Sequence, residues 1–427
     1  MYFLIINDLV DVKNKKITHY SLDKGLNLGY GFVNNGCKVD YIISTNSFIE
    51  DNINFINFTE LTEDKINSYD YIIIVREGFI EELFNKFKEL KNIFFNCKRK
   101  TKIIIKSDSC NWILDKNFRK FINKELSING SIPSVVKWIN KNIDIICVQN
   151  NEFYELGISN GINKERMLIS NMAVPNLSID YDSLVNPYLS DYSYCKDKRS
   201  LTSGDSLFPL YYINNPDKIG ELNNKKRTKI FYMGRIKTDS GKIIYIMKDI
   251  IEKLGDDYEL HIFSGSFLLY NLETHQIQKC SANNTNHLEL LRDTVFPENK
   301  NVFIHCPFNH KDIHKYLWYA DIGIDFSSSR PNNVKANAGN AKLLEYCYMG
   351  LPVVTEKNVN NSFLVSNCSN GILLEGIGTT DDYIQSIIKL TNKIKINRKN
   401  ASKITIKNEN WNIRAKDFIN DLKIKFN

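Results

Sequence analysis

Apolar residues along this chain come in short runs of four to eight, each closed by glycine, asparagine or a polar cluster. Tyr2–Ile6, Cys37–Ser44, Tyr69–Val75, Lys102–Lys106, Asp144–Gln149 and Met167–Ala173 read as buried strands. Between the first two, Ser21–Phe32 has helical spacing and stops at Asn34-Asn35-Gly36. Strand, loop, helix, stop and strand in that order describe a right-handed crossover unit. A second series follows: Thr228–Met233, Tyr258–Phe263, Val302–His305, Ile322–Phe326, Val353–Thr355 and Gly371–Leu374 as strands. Helical spacing separates them, from Asp239 to about Leu254, over Asp312–Tyr319 and over Lys342–Met349. Ser178 to Lys226 has no clean period and carries Pro187, Pro209 and Pro216, so it reads as a connector with an insertion. The tail Asn410–Phe426 is amphipathic, with Trp411, Ile413, Ala415, Phe418, Ile419 and Leu422 on its apolar side.

The pattern predicts an α/β chain of two Rossmann-like domains facing each other across a cleft. Residues 1–180 form the first domain, 181–226 the linker or insertion, 227–405 the second domain and 406–427 a terminal helix. A length of 427 residues agrees with two cores. Gly29-x-Gly31 falls late in the first helix and not after a strand, which gives it a structural role and excludes a dinucleotide fingerprint.

Composition narrows the function classes. Hydrophobic residues make up 43% and charged residues 25%, as in an ordinary globular protein. The net charge of +7 is modest and dispersed. It suits an anionic small molecule or surface and argues only weakly for nucleic acid. Nine cysteines without a C-x-x-C pair, several inside apolar runs, point to reduced thiols and show no metal-ligand spacing. Tyr2–Ile6 is too short for a secretory core and lacks basic flanks. No apolar run approaches the roughly 20 residues that span a bilayer. The expectation is a cytoplasmic protein, with a peripheral membrane contact still compatible.

Candidate chemistry concentrates between Asn337 and Thr355. Asn337-Ala338-Gly339-Asn340 is a small-residue loop, and Lys342 to Met349 a helix with Lys342 and Glu345 near its start. Gly350 sits where a left-handed cap belongs, Pro352 follows, and Val353-Val354-Thr355 resumes a strand. Free N–H groups at such a helix start favour an anion.

This stretch resembles the donor-binding signature of retaining glycosyltransferases of the GT-B fold, family four in particular. The likeness is close over about the last two hundred residues and only in outline before them. The resemblance implies that the terminal helix crosses back onto the first domain. It implies transfer of a sugar from a nucleoside-diphosphate sugar to a hydroxyl acceptor with retained configuration. Gly234-Arg235 and Lys242 match the family's element that neutralises the leaving diphosphate, with Lys237 competing because the spacing is longer here. Glu345 corresponds to the second Glu of the paired-Glu motif, which holds the ribose. Asn337 stands where the first Glu belongs, which bears on the donor sugar.

Lys342 adds a candidate phosphate contact and Leu343 belongs to the same signature helix, while Ala338, Gly339 and Asn340 offer backbone N–H groups. Ser264, Gly265 and Phe308 end strands where relatives hold the base. In the first domain Asp108 aligns with a catalytic His-Asp pair, Ser107 taking the place of the His, and Glu77 is a further carboxylate. His305, His310 and His314 form no metal pattern. Family resemblance implies no protein nucleophile, no bound metal and no cofactor beyond the donor itself. Rival readings are a nucleotide-sugar 2-epimerase, a DNA-base glycosyltransferase with nucleic acid as partner, and a non-catalytic nucleotide-sugar-binding protein.

Overall fold

A computed structural model describes residues 1–7, 22–43, 46–75, 100–107, 110–126, 129–176, 179–189, 226–234, 236–237, 243–263, 266–270, 277–281, 301–305, 313–326, 341–368, 370–392 and 396–426, with a few isolated positions besides. The chain divides into two units: residues 1–176 with 408–427, and residues 177–407. Residues 179–189, expected at the edge of the first domain and in the connector, fall with the second unit.

The first unit holds β1 (Tyr2–Ile6), α1 (Leu22–Asn34), β2 (Lys38–Ile43), β3 (Phe48–Glu50), β4 (Ile53–Asn57), α2 (Glu63–Asn67), β5 (Tyr71–Val75), β6 (Lys102–Lys106), α3 (Lys116–Leu126), α4 (Ile132–Asn142), β7 (Ile145–Val148), α5 (Asn151–Ser159) and β8 (Met167–Ile169). They form one sheet in the order β3-β4-β2-β1-β5-β6-β7-β8, parallel except for the β3–β4 hairpin. That hairpin is absent from the sequence reading. Its turn is Asp51-Asn52, both at positive φ (49° and 63°), which Asp and Asn tolerate better than most residues. The strand order reverses between β1 and β5, the switch point at which open α/β sheets bind ligands.

The helix Trp411–Phe426 belongs to this first unit. Its Trp411, Ala415, Phe418 and Leu422 are buried, in one cluster with Phe3, Ile5, Phe32 and Ile73. Phe3 stacks on Phe32 at 4.1 Å, and Phe32 meets Phe418 at 5.9 Å. Gly31 is where the two helices touch: a Cβ there would lie 2.5 Å from the Trp411 carbonyl. Only glycine lets the backbones approach so closely, which is the structural role read for Gly29-x-Gly31. The chain re-enters the unit beside its point of exit, with Val174 N–H donating to the Glu409 carbonyl (2.7 Å) and Trp411 N–H to the Val174 carbonyl (3.0 Å).

The second unit holds β9 (Thr228–Met233), β10 (Ile236–Lys237), α6 (Ile243–Leu254), β11 (Tyr258–Phe263), β12 (Ser266–Tyr270), β13 (Ile277–Ser281), β14 (Val302–His305), α7 (Ile313–Tyr319), β15 (Ile322–Asp325), α8 (Ala341–Tyr348), β16 (Val353–Glu356), α9 (Val359–Cys368), β17 (Gly371–Leu374), α10 (Thr380–Asn392) and α11 (Arg398–Asn408). Six of its strands make a parallel sheet in the order β14-β11-β9-β15-β16-β17, and β10-β12-β13 make a small separate one. Here the order reverses between β9 and β15.

Gly350 takes φ +61°, the left-handed cap expected after α8. Arg398 fastens this corner. Its guanidinium donates to the carbonyls of Leu317 (2.7 Å), Ala320 (2.8 Å) and Gly350 (3.3 Å) and lies over the Trp318 ring. These are carbonyls near the ends of α7 and α8 that no further helical turn satisfies.

Candidate functional site

Three elements meet at the β9/β15 switch point of the second unit. β9 ends at Met233, whose N–H donates to the Tyr346 hydroxyl on α8 (3.0 Å). Gly234 follows at φ +130°, a conformation that L side chains rarely adopt, and a Cβ there would press on Lys342 Cε at 3.3 Å. β15 ends at Asp325, which is fully buried. Its Oδ2 accepts from the Thr355 hydroxyl (2.9 Å), and Tyr383 donates to its carbonyl (2.8 Å). Lys342, on the first turn of α8, spans the gap between the two strands. Its ammonium lies 2.8 Å from Asp325 Oδ1, a contact of charge and not an aligned hydrogen bond, and 5.0 Å from the centroid of the Tyr232 ring.

The sequence reading made Lys342 a phosphate contact. The structure gives it an internal counter-charge, so its first effect is to lock α8 onto both strand ends. One turn further along α8, Glu345 is largely buried and its Oε2 lies 3.3 Å from His314 Nε2 on α7. The His314 ring also packs on Tyr348 at 5.2 Å. Burial and the Glu345 charge together raise the Tyr348 hydroxyl above its ordinary range. His314, which forms no metal pattern in the sequence, is therefore a side chain placed to orient Glu345. No local motif announces it, because the two residues are 31 positions apart.

Leu343 is fully buried in the α8 core. Lys237 lies in β10, next to β12. Arg235, Lys242, Ser264, Gly265, Phe308, Asn337, Ala338, Gly339 and Asn340 lie outside the described residues, as do Asp108, Glu77 and His310. The structure thus brings Gly234 and Lys342 together, with Glu345 one turn further along the same helix and against His314. Among the described residues, no group of three or more His, Cys, Asp or Glu side chains is placed to hold a metal ion. No described helix is long and apolar enough to cross a membrane.

A second polar assembly crosses the same sheet and has no counterpart in the sequence reading. Lys229 Nζ lies 3.3 Å from Glu259 Oε1, which lies 3.1 Å from His261 Nε2, and His261 Nδ1 lies 3.1 Å from His305 Nε2. Burial pushes the Glu259 carboxyl up, but His261 and Lys229 hold it below the ordinary carboxylate range. Burial pulls the His261 imidazole down, against Glu259. An ionised carboxylate only accepts, so His261 carries its proton on Nε2 and takes a hydrogen bond from His305 on Nδ1. Tyr188 packs edge-on to His261 at 4.8 Å.

Two parallel-sheet units, with the last helix returning to the first, define the GT-B class of fold. Comparison with known proteins carries that class along the whole chain. A sucrose-phosphate synthase from Thermosynechococcus elongatus superposes with a TM-score of 0.60 at 12% identity, covering 100% of this chain and 99% of its own. A glycosyltransferase from Rickettsia africae gives 0.57 at 13% identity, with 99% and 98% covered. HepE of Anabaena, solved in complex with UDP-glucose, gives 0.57 at 13% identity, with 99% of each chain covered. No family model matches, and no curated protein matches by sequence. The chain has the GT-B fold; at these identities its neighbours show the fold alone.

Proposed function

We propose that this protein is a glycosyltransferase that moves a sugar from a nucleoside-diphosphate sugar to a hydroxyl acceptor with retention of configuration. The observation that carries the reading is Gly234 set against Lys342 at the β9/β15 switch point, the position at which such sheets take ligands, with Glu345 one turn further along the same helix. Complexes of structural neighbours with UDP and UDP-glucose support the donor class.

In this reading Glu345, oriented by His314, accepts from the ribose hydroxyls. Arg235 and Lys242, with Lys237 as the alternative cation, meet the diphosphate. The bond from the anomeric carbon to the phosphate oxygen breaks and the bond to the acceptor oxygen forms. The acceptor proton passes to the departing phosphate oxygen, so the reaction needs no protein nucleophile. Charge grows on the diphosphate as it leaves, so cations aimed there stabilise the transition state more than the ground state. The reading needs no resident metal, because those side chains supply the positive charge. Glycan, lipid and small-molecule acceptors fit it equally.

The test is a thermal-shift panel of nucleoside diphosphates followed by transfer assays with and without a chelator. One diphosphate should raise the melting point, and activity should persist in chelator. Arg235→Ala should bind donor weakly and lose most turnover with the fold intact. Wild-type turnover in that variant would remove the phosphate role. Asn337 in place of an acidic residue favours a second reading, a nucleotide-sugar binder without transfer. Tight diphosphate binding with no transfer across a broad donor panel would select it.

A further inference from the structure

Among the described residues of the first unit, one buried charge has no counter-charge beside it. Lys106 is the last residue of β6, and it is only 7% exposed. Its ammonium donates to the Ser170 carbonyl at 3.0 Å. Among the described residues, no carboxylate lies within ion-pair distance of it. An ammonium has three N–H groups, so one bond to a neutral carbonyl leaves two unspent. Burying an unpaired charge is costly, and folded proteins pair such groups or use them.

Ser170 supplies the second observation. It is 6% exposed, and its hydroxyl makes no aligned hydrogen bond. The polar neighbour that it and Lys106 share is the Cys147 thiol. Burial raises that thiol, against the opposing pull of Lys106 and Ser170, so Cys147 stays neutral and supplies no anion.

Location adds a third. Asn7, Ser107, Gln149 and Ser170 directly follow β1, β6, β7 and β8, and all four are buried. The carboxyl edge of this sheet is therefore polar beneath the surface from the β1/β5 switch point, where an α/β sheet takes its ligand, out to the edge strand β8. A lysine that only filled space would be expected among apolar neighbours with its head in water. This one keeps its head inside, against a polar edge.

We infer that Lys106 and Ser170 form an anion subsite in the first unit, and that it takes a phosphomonoester. Two N–H groups and one hydroxyl offer three donors, which matches the three terminal oxygens of a phosphate ester better than the two of a carboxylate. If the transferase reading holds, this group belongs to the acceptor, which is then a sugar phosphate or another phosphorylated alcohol. The subsite itself does not depend on that reading.

Calorimetric titration of the full chain tests it. The probes are inorganic phosphate, glucose 6-phosphate, glucuronate and glucose, each added with UDP present in excess so that any diphosphate site is filled. UDP is also titrated alone, because failure to bind any nucleotide bears on the transferase reading and not on this one. Phosphate and glucose 6-phosphate should bind and glucose should not. Lys106→Met should weaken phosphate by about tenfold or more, the loss of a charge-assisted contact, with the UDP response unchanged. Ser170→Ala should weaken phosphate about threefold and serves if the lysine variant fails to fold. Equal phosphate binding by wild type and both variants would overturn the proposal. So would no anion binding at millimolar concentration, or tighter binding of glucuronate than of phosphate.

Discussion

Lys342 and Lys106 both lie low at the carboxyl edge of a parallel sheet, and only one of them has a carboxylate. In the second unit Asp325 answers Lys342, His314 answers Glu345, and Lys229 with His261 answers Glu259. These charges tie the sheet ends and their helices together. In the first unit the charge at the edge has no partner of opposite sign among the described residues. A compensated lysine holds elements together, whereas the proposed subsite uses an uncompensated one.

The largest effect should come from removing the compensation. Asp325→Ala removes the carboxylate from the largely buried Lys342 ammonium, which costs roughly 3–5 kcal/mol. At about 2–4 °C per kcal/mol for a unit of this size, the melting midpoint should drop by roughly 6–20 °C. Asp325→Ala with Lys342→Met should recover much of that loss. If the Asp325 change costs the same in both backgrounds, Lys342 is not what it compensates. Lys106→Met should behave in the opposite way in ligand-free protein, costing about 1 kcal/mol or less, because it removes a charge that was never paired. A large loss there would erase the contrast between the units.

Arg398→Ala should come next. It strips three carbonyls of their donor, and such charge-assisted bonds contribute about 1.5–3 kcal/mol each when taken singly, though not additively. A loss of about 3 kcal/mol in urea unfolding is expected. Arg398→Lys should recover only part, because an ammonium lacks the planar fork that reaches three acceptors.

A smaller effect, and a continuous one, concerns pH. The folded imidazole of His261 titrates below its unfolded value, so between the two the unfolded chain holds more protons. Stability from this group is complete above the unfolded value, near 6.5, and declines as pH falls below it. Glu259 is depressed as well, so its contribution is complete above the unfolded value, near 4.5, and fades as pH falls through its folded one. Stability of the second unit should therefore fall from about pH 6.5 downward, by at most about 1.4 kcal/mol per pH unit for each proton taken up. His261→Phe should flatten the first part of that slope. A slope unchanged between pH 6.5 and 5 in the variant would assign it to other groups.

The two units also differ in how far the sequence discloses them. Strands buried on both faces, such as Tyr2–Ile6, Lys102–Lys106 and Thr228–Met233, were read to the residue, because an uninterrupted apolar run has few other places to go. Gly350 and the helix before it were equally plain, since a left-handed cap demands glycine. The β3–β4 hairpin was not seen. Its strands are short, and Phe48-Ile49-Glu50 is largely exposed, so no apolar run marks an edge strand. Helices Lys116–Leu126 and Ile132–Asn142 escaped for a related reason, as their polar faces dilute the apolar stripe.

At the site, Gly234, Lys342 and Glu345 were singled out from motif spacing; Gly234 does lie against Lys342, while Glu345 lies against His314. What motif spacing left out was partnership. Asp325, His314, the Glu259–His261–His305 chain and the isolation of Lys106 all depend on which strand lies beside which. That information resides in the strand order of each sheet and in no local window of the sequence.

The smallest effect tests the finest part of the contrast, whether Glu345 owes its aim to His314. The imidazole sits 3.3 Å from the carboxylate and packs on Tyr348, so removing it frees the Glu345 rotamer without touching its charge. His314→Ala should weaken binding of the preferred nucleoside diphosphate about threefold to tenfold, as expected for one hydrogen bond to a charged group, and raise the donor KM in step with little change in kcat. His314→Gln keeps a donor at similar reach and should restore most of the affinity. Glu345→Ala should weaken binding more, and adding His314→Ala to it should then cost almost nothing, because a positioning residue has no effect once the group it positions is gone. Additive losses in that double variant would give His314 a contact of its own with the ligand and detach it from Glu345.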